Sequence, residues 1–414
     1  MSKLKKTLEA KVFSTVSFMK KKYINSLEGR IVKVPVDRLL LGGENGINAY
    51  NYSLMVGDPM RPSRKVIYGP HVDLLKEYQR SGDAFFSENL YKQSKYYQNA
   101  KECIEFTGRY FSAYAEEDII SRMKMFVDQV FKNESHDYTK KIGHSGVGTP
   151  IILAPIDFSN YYEVVDGNHR IASAIFEGKD FIEASIRFNK VVTPVQDLLS
   201  KVLWEGGRKE LYQPVDCPEL EETWVTVRKS TDRLGMMRKF LDEKGLSANK
   251  GISYIDLGAS YGWFVHKMSE AGYDSLGIEL DVHSIRLGQW VYGLNESSVK
   301  RSNIATFFKE NDNKFDVVSN FSVLHHFVMG RGGLRPEEYI QHLDKMTRKV
   351  LFIETGQGHE DWFKETLHGW DVDFIQKWIL SNTSFNEVIP LGKDSDNIGK
   401  FRNNYSRTMF ACLR

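Results

Sequence analysis

From residue 251 to its end the chain alternates short apolar runs with helical patterns, and this alternation restricts the fold more than any other feature. Runs suited to strands lie at 252–257, 275–278, 315–319 and 349–353. Helical stretches lie at 262–271, 282–294, 336–346 and 371–380. A parallel strand needs a crossover before its successor can pair with it, so the pattern predicts βαβ units: an α/β fold with helices on both faces of a parallel sheet. Two last runs, 385–390 and 408–413, suit an antiparallel pair at one edge.

The first run leads into a turn, Asp256-Leu257-Gly258-Ala259-Ser260-Tyr261-Gly262. Gly258 permits a tight exit from the strand, and Gly262 lets helix and strand approach closely. Ligands of open parallel sheets bind beyond the carboxyl ends of the strands, so this turn marks a nucleotide-like site. A pyrophosphate wants G-x-G-x-x-G. Here the middle glycine is missing and an acid opens the loop. Asp256 repels a pyrophosphate and suits a cation. That favours S-adenosylmethionine, with its ammonium and sulfonium, over NAD. Glu279 ends the second run, where a carboxylate can accept two hydrogen bonds from a ribose diol.

On these residues the segment 251–414 resembles the class I S-adenosylmethionine-dependent methyltransferases. Asp256-x-Gly258-x-Ser260-x-Gly262 is similar to that family's first motif, and Glu279 stands where its ribose-binding acid stands. Ser302-Asn303-Ile304 resembles the adenine-edge motif, with Asn303 in place of the more usual aspartate. The segment 315–327, which contains Asn320, His325 and His326, resembles the fourth-strand motif of small-molecule methyltransferases. The resemblance implies a Rossmann-like sheet and a cofactor site made by Asp256, Gly258, Ser260, Gly262, Glu279, Asn303 and Asn320. The proline-rich motif of base amino-methyltransferases and the Pro-Cys of cytosine C5 enzymes are absent. The acceptor implied is an oxygen of a small molecule, saccharide or glycan-linked group, phosphorylated or not.

His325 or His326 is a candidate general base, because imidazole titrates near neutral pH. The other reading is that one histidine packs, the second lines the pocket, and alignment alone carries the transfer. Trp362, His368, Trp370, Tyr405 and Arg407 are expected to border the acceptor pocket. The segment Leu211-Tyr212-Gln213-Pro214, with Arg228, Asp232 and Arg233, more loosely resembles a lead-in found in methyltransferases of saccharide-linked or phosphorylated acceptors; a salt-bridged cap is the competing reading.

The N-terminal part reads as α+β. Strand-like runs at 31–36, 150–154, 162–165 and 182–188 flank a helical stretch, 72–133, too long for a loop and therefore an insertion. Its tyrosines Tyr91, Tyr96, Tyr97, Tyr110 and Tyr114 read as part of a charged, tyrosine-rich face. The motif Asp166-Gly167-Asn168-His169-Arg170 joins an apolar run to a helix of small residues. A polar loop at a helix N-terminus suits an anion, Arg170 can grip a phosphate with two parallel hydrogen bonds, and Asp166 can bind Mg²⁺ or orient His169. A capped helix with a structural salt bridge is the plainer alternative.

Together with the run 31–36 leading into Asp37-Arg38-Leu39, this motif resembles the ParB/sulfiredoxin-like fold, whose loop binds nucleotide phosphates. Asn168 replaces the sulfiredoxin cysteine, which argues against sulfinic-acid repair. The arginine-rich nucleotide box of chromosome-segregation proteins is also absent. Free-serine kinases of this superfamily place a catalytic glutamate soon after the first strand, and Glu44 is at a comparable place. The resemblance therefore implies ATP, ADP or CTP with Mg²⁺ at Asp166, Asn168, His169 and Arg170, and a kinase-like role for Glu44. The alternative is a ParB-like DNA-reading module that targets the methyltransferase.

The sequence thus divides into 1–190, a helical connector at 191–250, and 251–414. Lys plus Arg is 56 against 54 for Asp plus Glu, a balance without the basic excess of a dedicated DNA clamp. The cysteines Cys103, Cys217 and Cys412 are scattered and form no C-x-x-C, which suits a reducing, cytoplasmic compartment and signals no metal site. No apolar run approaches the roughly 20 residues of a membrane helix. Leu4, Leu8, Val12, Val16 and Met19 form a stripe within the basic residues 1–22, suited to a surface helix or to peripheral membrane contact.

Overall fold

A computed structural model describes residues 31–42, 65–132, 150–202, 208–247, 251–397 and 404–414. Glu44, Gly206, Gly207 and the apolar stripe within residues 1–22 lie outside the described residues. The chain forms two compact units, one of residues 1–196 and 217–223, the other of residues 197–216 and 224–414. Residues 191–250, read as a connector, are thus shared between them: helix Pro194–Lys201 straddles the division. Among the described residues no helix is long and apolar enough to cross a membrane.

The first unit is built on a five-stranded sheet of β1 (Ile31–Pro35), β2 (Leu39–Leu40), β3 (Ile151–Pro155), β4 (Tyr162–Asp166) and β5 (Phe181–Ile186), in the order β1-β5-β3-β4-β2. Its pairing is mixed: β1–β5 and β3–β4 are antiparallel, β3–β5 and β2–β4 parallel. Side-chain alternation puts Val34, Leu153, Val164, Ile182 and Ala184 in one cluster with Ile171 of helix Asn168–Phe176.

Helices Pro70–Ser81, Lys95–Thr107 and Glu116–Phe131 follow β2 and carry a core of their own, with Leu74, Leu75, Tyr96, Tyr110 and Phe126 fully buried. The tyrosines correct the sequence reading. Tyr91, Tyr96, Tyr97 and Tyr110 are core residues, and only Tyr114 of that group is exposed. A tyrosine can be buried when its hydroxyl finds a partner, as Tyr96 does on the His169 ring at 3.0 Å.

In the second unit β6 (Glu210–Leu211) and β7 (Val225–Thr226) form a short parallel pair. The main sheet holds β8 (Ser253–Leu257), β9 (Asp274–Glu279), β10 (Val299–Arg301), β11 (Phe315–Phe321), β12 (Thr347–Glu354), β13 (Glu387–Lys393) and β14 (Thr408–Leu413). The order is β10-β9-β8-β11-β12-β14-β13. The first five strands in that order are parallel, and β14 runs antiparallel to both β12 and β13.

Helices cover both faces, as the alternation required. Ile255, Leu257, Val318, Leu351 and Ile353 pack with helices Pro336–Met346 and Val372–Asn382. Tyr254, Val317, Val350, Phe352 and Met409 pack with Thr231–Glu243 and Trp263–Glu270. The edge strand β10 was not legible: Val299 is its only buried residue, so it shows no alternation. β8 lies between β9 and β11, where the strand order reverses, the position at which open parallel sheets bind their ligands.

Candidate functional site

The chain leaves β8 through a loop in which Gly258, Ser260 and Gly262 all have positive φ, at 83°, 54° and 78°. At Gly258 the requirement is also steric, since a Cβ would lie 2.5 Å from Val323 Cγ2. Ser260 tolerates the left-handed conformation because its N–H is held by Glu279 Oε2 at 2.8 Å. The other oxygen of Glu279 accepts the N–H groups of Leu280 and Asp281 at 2.8 and 2.9 Å. One carboxylate therefore ties the loop after β8 to the loop after β9. Burial raises its pKa and the three amides oppose that rise. Asn303, just past β10, caps helix Ile304–Glu310 by accepting the Ala305 N–H at 2.8 Å.

Two further residues support this loop; Gly288 had no recognised local signal, and Gln213 stands in the lead-in segment read for an acceptor. Gly288, inside helix Val282–Tyr292, lies so close to the Tyr261 carbonyl oxygen that no Cβ fits there. Gln213 brackets the loop from the connector side: its amide donates to Ala259 O and accepts from Trp263 N, both at 3.4 Å.

Asp256 is buried next to the loop, and burial pushes its carboxyl up to about 7. Ser319 Oγ donates to it at 2.7 Å. Asn320, the next residue of β11, faces the opposite side of the sheet, where its amide donates to Leu257 O at 3.0 Å and Tyr339 Oη at 2.7 Å. It braces the strand ends instead of joining Asp256.

The structure brings Arg228 and Arg233 together with Tyr405, Arg407 and Trp362 of the expected acceptor border, around carboxylates. Glu354 Oε2 lies 3.2 Å from Arg228 Nη2 and 3.3 Å from Arg233 Nη1, and Oε1 lies 3.0 Å from Arg407 Nη1. Arg407 also pairs with Glu360 at 2.7 Å, and Arg228 with Asp394. Ser322 Oγ accepts from Arg228 at 2.8 Å and from Arg407 at 2.9 Å. Trp362 Nε1 donates to Glu360 at 2.6 Å, and the Arg228 guanidinium lies 4.5 Å from the Tyr405 ring centroid. The salt-bridged reading of these arginines is the observed one. Asp232 caps the chain near Ser395 and Asp396. Trp370 packs instead on Phe374 and Trp378, and His368 is exposed. The partners Glu354, Glu360 and Asp394 escaped the sequence reading because nothing local marks them.

His325 is buried, and its Nδ1 accepts the Gly356 N–H at 3.2 Å. Burial, with Arg407 nearby, lowers its pKa to about 2. His326 is exposed, its ring 4.3 Å from that of His325.

In the first unit the Asp166 motif divides. Gly167, at φ 111°, opens helix Asn168–Phe176, and Arg170 pairs with Asp166 at 3.2 Å on the surface. Asn168 is buried, and among the described residues its Oδ1 has no hydrogen-bond partner. His169 turns the other way, into the rings of His71 and Phe126, each 4.6 Å off between centroids, and onto Tyr96. Burial lowers it to about 3, so it is neutral at physiological pH and brings no positive charge to an anion.

Residues 231–386 match the family described as a methyltransferase domain, which supports a class I S-adenosylmethionine-dependent methyltransferase for the second unit. No curated protein matches the chain. Among solved structures, the chain is similar to the bifunctional kinase-methyltransferase WbdD at 17% identity and a TM-score of 0.42, over 53% of this chain and 46% of WbdD. It thus spans less than half the length of that protein. The magnesium protoporphyrin IX methyltransferase ChlM of Synechocystis PCC 6803, with bound SAM, is 16% identical with a TM-score of 0.34, over 44% of this chain and 78% of ChlM.

Proposed function

We propose that the second unit transfers a methyl group from S-adenosylmethionine to an oxygen of a small-molecule or glycan-linked acceptor. The observation that carries this is the bond from Ser260 N–H to Glu279, which ties the loops after β8 and β9 together at the reversal of strand order and sets an acid where a ribose would be bound. The residues fit the group: Gly258 leaves room that a Cβ would fill, Glu279 and Asn303 edge the ribose and adenine positions, and Asp256 offers an acid to the methionine end. When bound there, the cofactor supplies an electrophilic methyl group on a sulfonium. Gln213 and Gly288 hold the loop around it. Arg228, Arg233 and Arg407 are already paired with Glu354, Glu360 and Asp394, which favours a neutral hydroxyl over a phosphate as the accepting group. Incubation of the full chain with labelled S-adenosylmethionine and acceptor fractions tests the reading; label recovered as an O-methyl group of a small-molecule or glycan product is the expected result, and label in nucleic acid overturns it.

The first unit, on this reading, is a ParB/sulfiredoxin-like domain that binds a nucleotide or phosphate and acts on the acceptor in a kinase-like way, through Asp166, Asn168, Arg170 and Glu44. The support is the N-terminus of helix Asn168–Phe176 with Arg170 beside it; a phosphate bound there takes Arg170 from its pair with Asp166. ATP, ADP or CTP with Mg²⁺ should raise the melting temperature of the full chain, and Arg170→Ala should remove that rise. Salt-dependent DNA binding without any nucleotide effect would favour the DNA-targeting role instead.

A further inference from the structure

Beneath the cofactor loop three side chains form a directed chain of hydrogen bonds. Tyr254 Oη lies 2.6 Å from Ser319 Oγ, and Ser319 Oγ lies 2.7 Å from Asp256 Oδ1. Tyr254 and Ser319 are fully buried, and Asp256 nearly so. The direction follows from chemistry. A buried phenol keeps its proton, so Tyr254 donates to Ser319, and the serine's one proton goes to Asp256. Among the described residues no protein group hydrogen-bonds the other carboxyl oxygen of Asp256.

The surroundings of Asp256 offer it little charge. Arg233, from helix Thr231–Glu243, is the cation that acts on it, and that guanidinium is spent on Glu354 at 3.3 Å. Glu279, from β9, acts on it with the opposite sign. Tyr339, on the other face, is a neutral phenol bonded to Asn320. A buried carboxyl with one neutral donor is poorly compensated, and a cationic ligand is what would complete it.

We propose that Tyr254 and Ser319 are positioning residues that fix Asp256 for the cofactor's ammonium group, and that cofactor binding at this carboxyl releases a proton. This rests on the reading of the second unit as an S-adenosylmethionine site. Before binding, Asp256 holds its proton for a large fraction of the time near neutrality. The incoming ammonium forms an ion pair with the carboxylate, and the carboxyl proton leaves to solvent, so one positive charge enters as another departs. Ser319 holds Oδ1 in both states and leaves the second oxygen aimed at the ligand.

Calorimetry of the full chain with S-adenosylhomocysteine, run in two buffers of different ionisation enthalpy, tests this. We expect a proton released per site at about pH 6 and a release that declines to little at about pH 8.5. Affinity should fall about tenfold for each pH unit below 7. Methylthioadenosine, which lacks the ammonium, should bind without proton release. Ser319→Ala should weaken S-adenosylhomocysteine about fivefold and move the release to higher pH, Ser319→Thr should restore both, and Tyr254→Phe should shift them less. Tight binding without proton exchange at any of these pH values overturns the proposal and leaves the cofactor reading standing. So does Ser319→Ala with wild-type affinity and release. Absence of binding by either ligand overturns the cofactor reading and this proposal together.

Discussion

His325 Nδ1 accepts the Gly356 N–H at 3.2 Å, and this one bond sets the tautomer of a buried ring. With Nδ1 occupied as acceptor, the proton of the neutral imidazole sits on Nε2. Burial and Arg407 keep the ring neutral at any working pH. Such a ring can donate from Nε2 and has no free lone pair with which to take a hydroxyl proton. On the proposed methyl-transfer reading, a catalytic base at this pair is therefore His326 and not His325.

His325→Gln keeps an acceptor for Gly356 and a donor in place of Nε2. It should retain most of the turnover, whereas His325→Ala should lose about tenfold, with cofactor affinity unchanged in both. Initial rates of labelled methyl transfer, with calorimetry alongside, check this. Equal loss in both variants would mean that the ring acts by something other than donation.

Glu279→Ala removes the acceptor of three backbone N–H groups as well as the proposed ribose contact. Cofactor binding should weaken by about 1–3 kcal/mol, read by calorimetry. Unchanged affinity would remove Glu279 from the site.

Glu354 is fully buried among three guanidinium groups, so Glu354→Gln should strand positive charge in the interior. A loss of about 3–5 kcal/mol in unfolding free energy is expected from denaturant titration. The exposed pair Lys101–Glu105, at 3.8 Å, sets the contrast: Glu105→Gln should stay within about 0.5 kcal/mol.

Acid should destabilise the first unit through His71 and His169. Both are buried, the charged group acting on His169 is the cation Arg122, and the His169 ring disfavours protonation of His71. Their folded pKa values lie below the unfolded value near 6.5. Above that pH both states are neutral and the pair adds no pH dependence. Below it the unfolded chain binds protons that the folded chain refuses, so stability falls by up to about 1.4 kcal/mol per pH unit for each ring. For His169 the loss runs down to about pH 3. Urea titrations at about pH 7.5 and 5.5 measure it, and His71→Leu should shrink the difference.

The sequence by itself determined the parallel sheet, its antiparallel edge, the glycine loop and the acid at the end of the second strand. Each is written locally, as a period of apolar residues or as a φ that only a small side chain adopts easily. The tertiary structure decided what those features meet. It put Ser319 under Asp256 and turned Asn320 to the other face, because successive residues of β11 point to opposite sides. It buried four tyrosines that composition alone made look like surface, since a hydroxyl's partner lies far off in the chain. It gathered Arg228, Glu354, Glu360, Asp394 and Arg407 from four separate segments, and a charge carries no record in its own neighbourhood of the opposite charge it will be folded against.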